Sequence, residues 1–338
     1  MSENTAPGSA PSTSQQPAHG GQLTRRRPLG ELSVSTLCLG GNVFGWTADE
    51  ATSHDVLDAY VAAGGNFIDT ADVYMASAEG LSGGESETVI GDWMARRSNR
   101  DDVVIATKVG AHPQRKGLSA ANIKAAAEDS LRRLRTEHID LYYTHFDDES
   151  VEVSEIITAL DELVRAGKVR HIAASNISPQ RLEASLRFSG EAGAARYVGL
   201  QPHYNLVSRS SYEGELSSVA ERHGLAVMPY FALAAGFLTG KYRHGQSPQS
   251  ARAGRAAGYL ETEHGQRVLA ALDRISAARG VSPATVALAW LLTRPTVTAP
   301  IASARTLGQL PALLALDDVE LTDEETAELT AASEPAAG

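Results

Sequence analysis

Cysteine is almost absent: Cys38 is the one thiol in 338 residues. A single thiol closes no intrachain disulfide and builds no multi-cysteine zinc site, so a reducing cytoplasm is the expected setting. Positive charge is scarce as well. The chain carries 30 Lys and Arg against 41 Asp and Glu, a formal net charge of −11. That is the wrong sign for a nucleic-acid partner, which demands a basic face to displace counterions from phosphates. No apolar run reaches the roughly 18 residues of a membrane span, so no membrane partner is expected either. What is present suits a packed interior: 43% of residues are hydrophobic and 21% charged, enough for one large domain or two ordinary ones.

Residues 1–22 are rich in Ser, Pro, Gly and Gln and poor in large apolar side chains. Such a segment buries too little surface to offset its chain entropy, so a disordered tail is expected there. The ordered part is expected over 23–330, with a frayed end over 331–338. Arg25, Arg26 and Arg27 have the look of a twin-arginine export signal. The residues that follow include Glu31 and several glycines and lack a small-residue cleavage site, which argues against export.

Between these ends, short apolar runs recur at Thr36–Leu39, Asn66–Asp69, Val103–Thr107, Ile139–Thr144, His171–Ser175, Tyr197–Gln201, Leu225–Tyr230 and Thr298–Ile301. Most start about 26–37 residues apart, with roughly 72 between the last two. Many are apolar throughout, as strands buried on both faces should be. Helical spacing fills the gaps: Ile123, Ala127, Leu131 and Leu134 share one face, and Val153, Ile156, Ile157, Leu160 and Leu163 share another before Gly167. Further helices are expected near Gln266–Ala278 and Pro283–Thr293, after a large loop over about Phe231–Glu263. Eight βα units predict an α/β fold, a (β/α)8 TIM barrel in a single domain. A doubly wound sheet is the alternative, but the first strand lacks the G-x-G-x-x-G turn that such sheets use for dinucleotides.

Barrel chemistry sits at the C-terminal strand ends. There the chain presents Asp69, Lys108, His145, Ser175, Asn176, Gln201 and Tyr230, each directly after an apolar run. Tyr74 follows Asp69 in D-T-A-D-V-Y. An ammonium such as Lys108 beside the phenol would lower its pKa, and Asp69 would supply the counter-charge. His145 could donate to a substrate oxygen. The group lacks a strong nucleophile–base pair and reads as a device for moving a proton to or from one oxygen. A metal is not expected: His145, Asp147 and Asp148 have no second nearby His, and H-E-x-x-H is missing.

At these residues the chain resembles the aldo-keto reductase superfamily. The motifs are G-G-N-F-I-D-T-A-D-V-Y (64–74), G-G-E-S-E (83–87), V-I-A-T-K-V-G (104–110), H-I-D-L-Y-Y-T-H (138–145), R-H-I-A-A-S-N (170–176), L-Q-P-H-Y-N-L (200–206), G-F-L-T-G-K-Y (236–242) and A-R-T-L-G-Q-L (304–310). The resemblance implies a (β/α)8 barrel that reduces aldehydes or ketones reversibly with NAD(P)H. It makes Tyr74 the general acid, Lys108 and Asp69 its supporting pair, and His145 the group that orients the carbonyl. It gives the nicotinamide carboxamide to Ser175, Asn176 and Gln201, with Tyr230 stacked on the ring. Phe231, Ala232, Leu233, Gly236, Leu238, Gly240 and Lys241 would follow the pyrophosphate. Ser303, Arg305 and Gln309 would meet the adenosine end, where a guanidinium suits a 2′-phosphate and so NADPH over NADH.

Three departures touch cofactor grip and pocket shape. Ala312 and Leu313 stand where the family often has Glu and Asn at the adenine. Y-F-A-L (230–233) replaces Y-S-P-L, and Met75 opens a stretched loop over Ala76–Gly84. Trp46, Met75, Phe146 and Phe231 are candidates for an apolar substrate mouth. Two other functions remain compatible with these residues: an NADPH-binding sensor with little turnover, and a Schiff-base lyase using Lys108.

Overall fold

The structure, a computed structural model, describes residues 21–243 and 253–335. Apart from its last two residues, the segment expected to be a tail lies outside the described residues, as do 336–338. Eight strands form one parallel sheet: β1 Cys38–Gly40, β2 Phe67–Asp69, β3 Val104–Val109, β4 Ile139–Thr144, β5 Val169–Ser175, β6 Tyr197–Gln201, β7 Ala226–Val227 and β8 Ile301–Ala302. They neighbour one another in chain order, and β8 lies beside β1. β7 and the segment before β8 meet through a parallel bridge between Val227 and Val297, and Ile301 N donates to Pro229 O at 2.9 Å. The sheet thus curls round on itself as the expected (β/α)8 barrel. All six residues of β3 and all six of β4 are buried, which accounts for their unbroken apolar pattern.

Helices α1 Glu50–Ala62, α2 Glu85–Arg97, α3 Ala120–Leu134, α4 Val153–Arg165, α5 Pro179–Ala192 and α6 Glu215–Arg222 follow β1 to β6 in turn. The expected faces are the buried ones: Ile123, Ala127, Leu131 and Leu134 in α3, and Ile156, Ile157, Leu160 and Leu163 in α4, with Val153 only half-buried at its start. Ser119 and Ser178 cap α3 and α5 by accepting from backbone N–H groups in the first turn. The seventh gap is less of a loop than expected. It holds a 3₁₀ turn at Ala234–Thr239 and α7 Ala253–Leu260 before α8 Glu263–Arg279 and α9 Pro283–Leu292. Ala284 to Leu292 are all buried, so α9 is apolar on every side. Neither of these helices, nor any other single described helix, is long and apolar enough to cross a membrane.

Two further corrections have local causes. β7 and β8 are two residues each, shorter than the apolar runs, because Pro229 and Pro300 have no N–H to continue a ladder. The C-terminal end is held further along than expected: after α10 Leu310–Leu314, α11 runs over Asp323–Ala332, and buried Ser333 accepts from Arg209 Nη1 at 3.1 Å.

An antiparallel hairpin, Arg26–Leu29 with Leu32–Ser35, precedes the barrel and went unrecognised in the sequence. Its Leu29 and Val34 are buried in a cluster with Phe67, Leu141, Tyr143 and Met228, and so fill one end of the barrel. The other end carries the strand termini that hold Asp69, Ser175 and Gln201.

Gly65 precedes β2 where a Cβ would stand 2.2 Å from Cε2 of Tyr60, a fully buried ring whose hydroxyl lies 2.7 Å from Leu37 O. Gly65→Ala is expected to overpack this contact and cost about 2 kcal/mol in urea unfolding, whereas Gly167→Ala, with open space around it, loses only the left-handed preference of glycine.

Candidate active site

Register brings the polar strand ends together. Asp69 lies opposite Ala106 of β3, Lys108 opposite Tyr143 of β4, and Gln201 opposite Ser175. The ammonium of Lys108 is fully buried and finds three acceptors: Asp69 Oδ2 at 2.7 Å, Thr70 O at 2.7 Å and the Tyr74 hydroxyl oxygen at 2.8 Å. Tyr74 in turn donates to Asp69 Oδ2 at 2.9 Å, and Gln201 Nε2 donates to Asp69 Oδ1 at 2.8 Å. Both oxygens of Asp69 are thereby satisfied, the condition under which a buried ion pair is tolerated.

Burial and the Asp69 carboxylate push the Tyr74 phenol well above its ordinary value of 10. The expected lowering by Lys108 is therefore not met in the free site. Asp69 sits 2.7 Å from the ammonium and offsets its field at the phenol. Tyr74 is a neutral hydrogen-bond donor here. Burial, opposed by Asp69, lowers the Lys108 pKa. His145, edge-on to Tyr74 with ring centroids 6.2 Å apart, is held down to about 3 by burial and then by Lys108. Its imidazole is neutral at physiological pH, and its Nδ1 makes no hydrogen bond among the described residues.

Beside this group, Asn176 Nδ2 donates to His145 O at 2.9 Å and Ser175 Oγ at 3.0 Å, while Tyr230 donates to Asn176 Oδ1 at 2.7 Å. Ser175 Oγ donates to Gln201 O at 2.8 Å. Asn176, Phe231, Ala234 and Ala235 all adopt positive φ, as does Met75 after Tyr74. The other two non-glycine residues with positive φ, Ser98 and Arg135, are helix C-caps. Left-handed backbone thus concentrates on the loops at the barrel mouth, where the surroundings must hold it in place.

A cavity of about 590 Å³ opens over these residues. Asp69, Tyr74, His145, Ser175, Asn176, Gln201, Tyr230, Phe231, Ala232, Leu233, Gly236, Lys241, Ser303, Arg305 and Gln309 all line it, with Trp46 and Phe146 at the mouth. Ala312 and Leu313 line it too. Lys108 lies beneath the wall, bonded to its tyrosine. Leu238 is instead fully buried in the core, Gly240 packs against Pro283, and Met75 is not on the wall. Asn42 was missed: it lines the cavity after β1 and accepts from Ser303 Oγ at 2.8 Å. The signal for it was available, a polar residue just past an apolar run.

One stretch of the cavity suits an anion. Gly236 has φ 95°, and a Cβ there would stand 3.3 Å from Lys241 Nζ. Lys241 and Arg305 form no ion pair among the described residues, and Gln309 Oε1 accepts from Arg305 N at 2.9 Å.

A family profile described as the Aldo/keto reductase family matches residues 36–334. The chain belongs to that family. Among similar proteins is Protein tas of Escherichia coli (strain K12), 33% identical over 334 residues, covering 90% of this chain and 96% of the relative. Norsolorinic acid reductase stcV of Emericella nidulans is 33% identical, with 95% of this chain and 84% of the relative covered. Aryl-alcohol dehydrogenase, NADP(+), of Phanerodontia chrysosporium is 32% identical, with 90% and 84% covered. Membership makes this aldo-keto reductase an oxidoreductase.

The depressed His145 pKa has a consequence for stability. The unfolded chain takes up a proton below about pH 6.5, while the folded imidazole resists until about 3. Folding stability therefore falls as pH drops through this window, by up to about 1.4 kcal/mol per unit. In urea unfolding series from about pH 7 to about pH 4, His145→Gln is expected to show a shallower decline than the unmodified protein.

Proposed function

We propose that this protein is an NADPH-dependent carbonyl reductase working on aromatic aldehydes or ketones, and reversibly on the alcohols. The observation that carries this reading is the Tyr74 hydroxyl between Lys108 Nζ and Asp69, beside a neutral His145, at the wall of a cavity of about 590 Å³. The bound reduced nicotinamide would supply the hydride.

The chain's own residues supply the rest. A carbonyl oxygen received between Tyr74 and His145 takes one hydrogen bond from each. Tyr74 turns its proton from Asp69 to that oxygen, and its O–H bond breaks as the new alcohol O–H forms. The phenolate left on Tyr74 stays beside Lys108, which already donates to the same oxygen and stabilises the charge without reorganising. Asp69 and Gln201 hold Lys108 in register. A neutral His145 can donate to the carbonyl without competing for the proton.

For the cofactor, Tyr230 and Asn176 would hold the nicotinamide end, with Ser175 and Gln201 behind them. Lys241 and the backbone at Gly236 would take the pyrophosphate, and Arg305 with Ser303 the 2′-phosphate, where a guanidinium binds two oxygens at once. Two cations on one wall, neither in an ion pair among the described residues, support a ligand with two phosphate groups to place. The aromatic substrate class is supported by Trp46 and Phe146 at the mouth, and by relatives named for norsolorinic acid and aryl alcohols.

The test is loss of NADPH absorbance with a panel of aromatic and aliphatic carbonyls. Turnover is expected, and Tyr74→Phe is expected to reduce kcat by a factor of about 100 or more while NADPH still quenches protein fluorescence. Tight NADPH binding with no turnover on any carbonyl would move the assignment to a sensor. Arg305→Ala is expected to raise KM for NADPH about tenfold or more and leave KM for NADH little changed. Equal effects on the two would remove Arg305 from the 2′-phosphate.

A further inference from the structure

A second cavity, of about 440 Å³, lies between the loops after β2 and β3 and helix α3. Its wall is polar and includes Asp72, His112, Arg115, Asp129 and Arg133. Asp72 is the unusual member. It falls between Asp69 and Tyr74, is 1% exposed, and neither of its carboxyl oxygens makes a well-formed hydrogen bond among the described residues. Gly83, at φ 99°, packs between the Asp72 backbone and His112: a Cβ there would stand 2.8 Å from the backbone oxygen of Asp72 and 2.7 Å from the His112 ring.

The charged groups around Asp72 are already committed. Glu87 of α2, fully buried, accepts from Thr107 Oγ1 at 2.5 Å and from Arg133 Nε of α3 at 2.6 Å. Lys108 of β3 has its three donors on Asp69, Thr70 and Tyr74. Arg115 pairs with Asp129 at 2.8 Å. Tyr142 of β4 faces the same charges, and its phenol is pushed well up by burial, then by Asp72 and Glu87. Among the described residues no cation forms an ion pair with Asp72, and Arg133, on the same cavity wall, has its Nε on Glu87. Burial, with Glu87 adding to it, pushes its carboxyl up to about 8, against the pull of Arg133 and Lys108.

We propose that Asp72 is a positioning residue for the proton transfer at Tyr74, uncharged while Tyr74 donates, with its own proton exchanging through the second cavity. This rests on the reductase reading above. The physical argument is one of sign. A phenolate forming on Tyr74 already faces the Asp69 carboxylate. Ionised Asp72 adds a second negative charge on the same loop, which raises the cost of that phenolate and slows reduction. Neutral Asp72 leaves Lys108 opposed by one carboxylate only. A polar chamber of this size admits water, which lets a buried carboxyl exchange its proton without opening the catalytic cavity.

Asp72→Asn keeps the shape of the protonated carboxyl and cannot ionise. The ratio of kcat for carbonyl reduction at about pH 9 to that at about pH 6.5 is expected to rise about tenfold relative to the unmodified protein. A purely structural role would lower both rates and leave the ratio unchanged, and that result overturns the proposal. The second measurement follows the Asp72 carboxyl carbon by NMR in protein labelled with carbon-13 aspartate, without cofactor or substrate. A midpoint at about 8 is expected, and one in the ordinary carboxylate range overturns the proposal. This titration needs neither turnover nor a folded variant. Inert behaviour toward every carbonyl would sink the proposed function, while the charge of Asp72 would still be decided by its midpoint.

Discussion

Burying an ammonium costs several kcal/mol unless every donor is met and a carboxylate lies beside it, and Lys108 has no exposure at all. Its three acceptors come from the end of β2, the backbone after it and the tyrosine in the next turn. The fourth tie, Gln201 to the far oxygen of Asp69, crosses from β6. One buried cation therefore fixes β2, β3, β6 and the Tyr74 loop relative to one another. The closed barrel is what makes this possible, since it alone brings strands 132 residues apart to one carboxylate.

The two ends of the barrel divide the work. The hairpin at 26–35 fills one end with Leu29 and Val34, so the interior is packed and the polar strand ends face a single opening. Around that opening the loops carry left-handed backbone at Met75, Asn176, Phe231, Ala234 and Ala235. Such conformations persist only when neighbours hold them, and the Asn176 network with His145, Ser175 and Tyr230 is one such support. Lys241 and Arg305, in no ion pair among the described residues, give the wall local positive charge within an acidic protein. A local cationic stretch of this kind attracts anions whatever the net charge.

Much of this was legible in the chain. Strand ends, α3, α4 and the candidate catalytic residues follow from apolar runs and helical spacing, because burial on both faces of a strand leaves an unbroken pattern. The hairpin was not legible: two four-residue strands are too short for periodicity, and only the two-residue link at Gly30 and Glu31 marks the turn. The side chain of Leu238 lies in the core and not on the cavity wall, which the sequence did not show because a leucine between glycines reads the same on a phosphate loop or in a core. The Tyr74 pKa was argued in the wrong direction, since Asp69 was counted as the counter-charge of Lys108 and not as a charge on the phenol itself.

The sequence by itself determined which side chains reach the barrel mouth, because a polar residue ending a buried strand has only that opening to face. Tertiary structure alone decided their charge. Asp69 and Asp72 stand three residues apart with the same chemistry, yet one accepts from Lys108, Tyr74 and Gln201 and the other forms no ion pair and no well-formed side-chain hydrogen bond among the described residues. Protonation depends on burial and on charges brought close by folding, such as Glu87, Lys108 and Arg133 around Asp72, and no spacing along the chain encodes those distances.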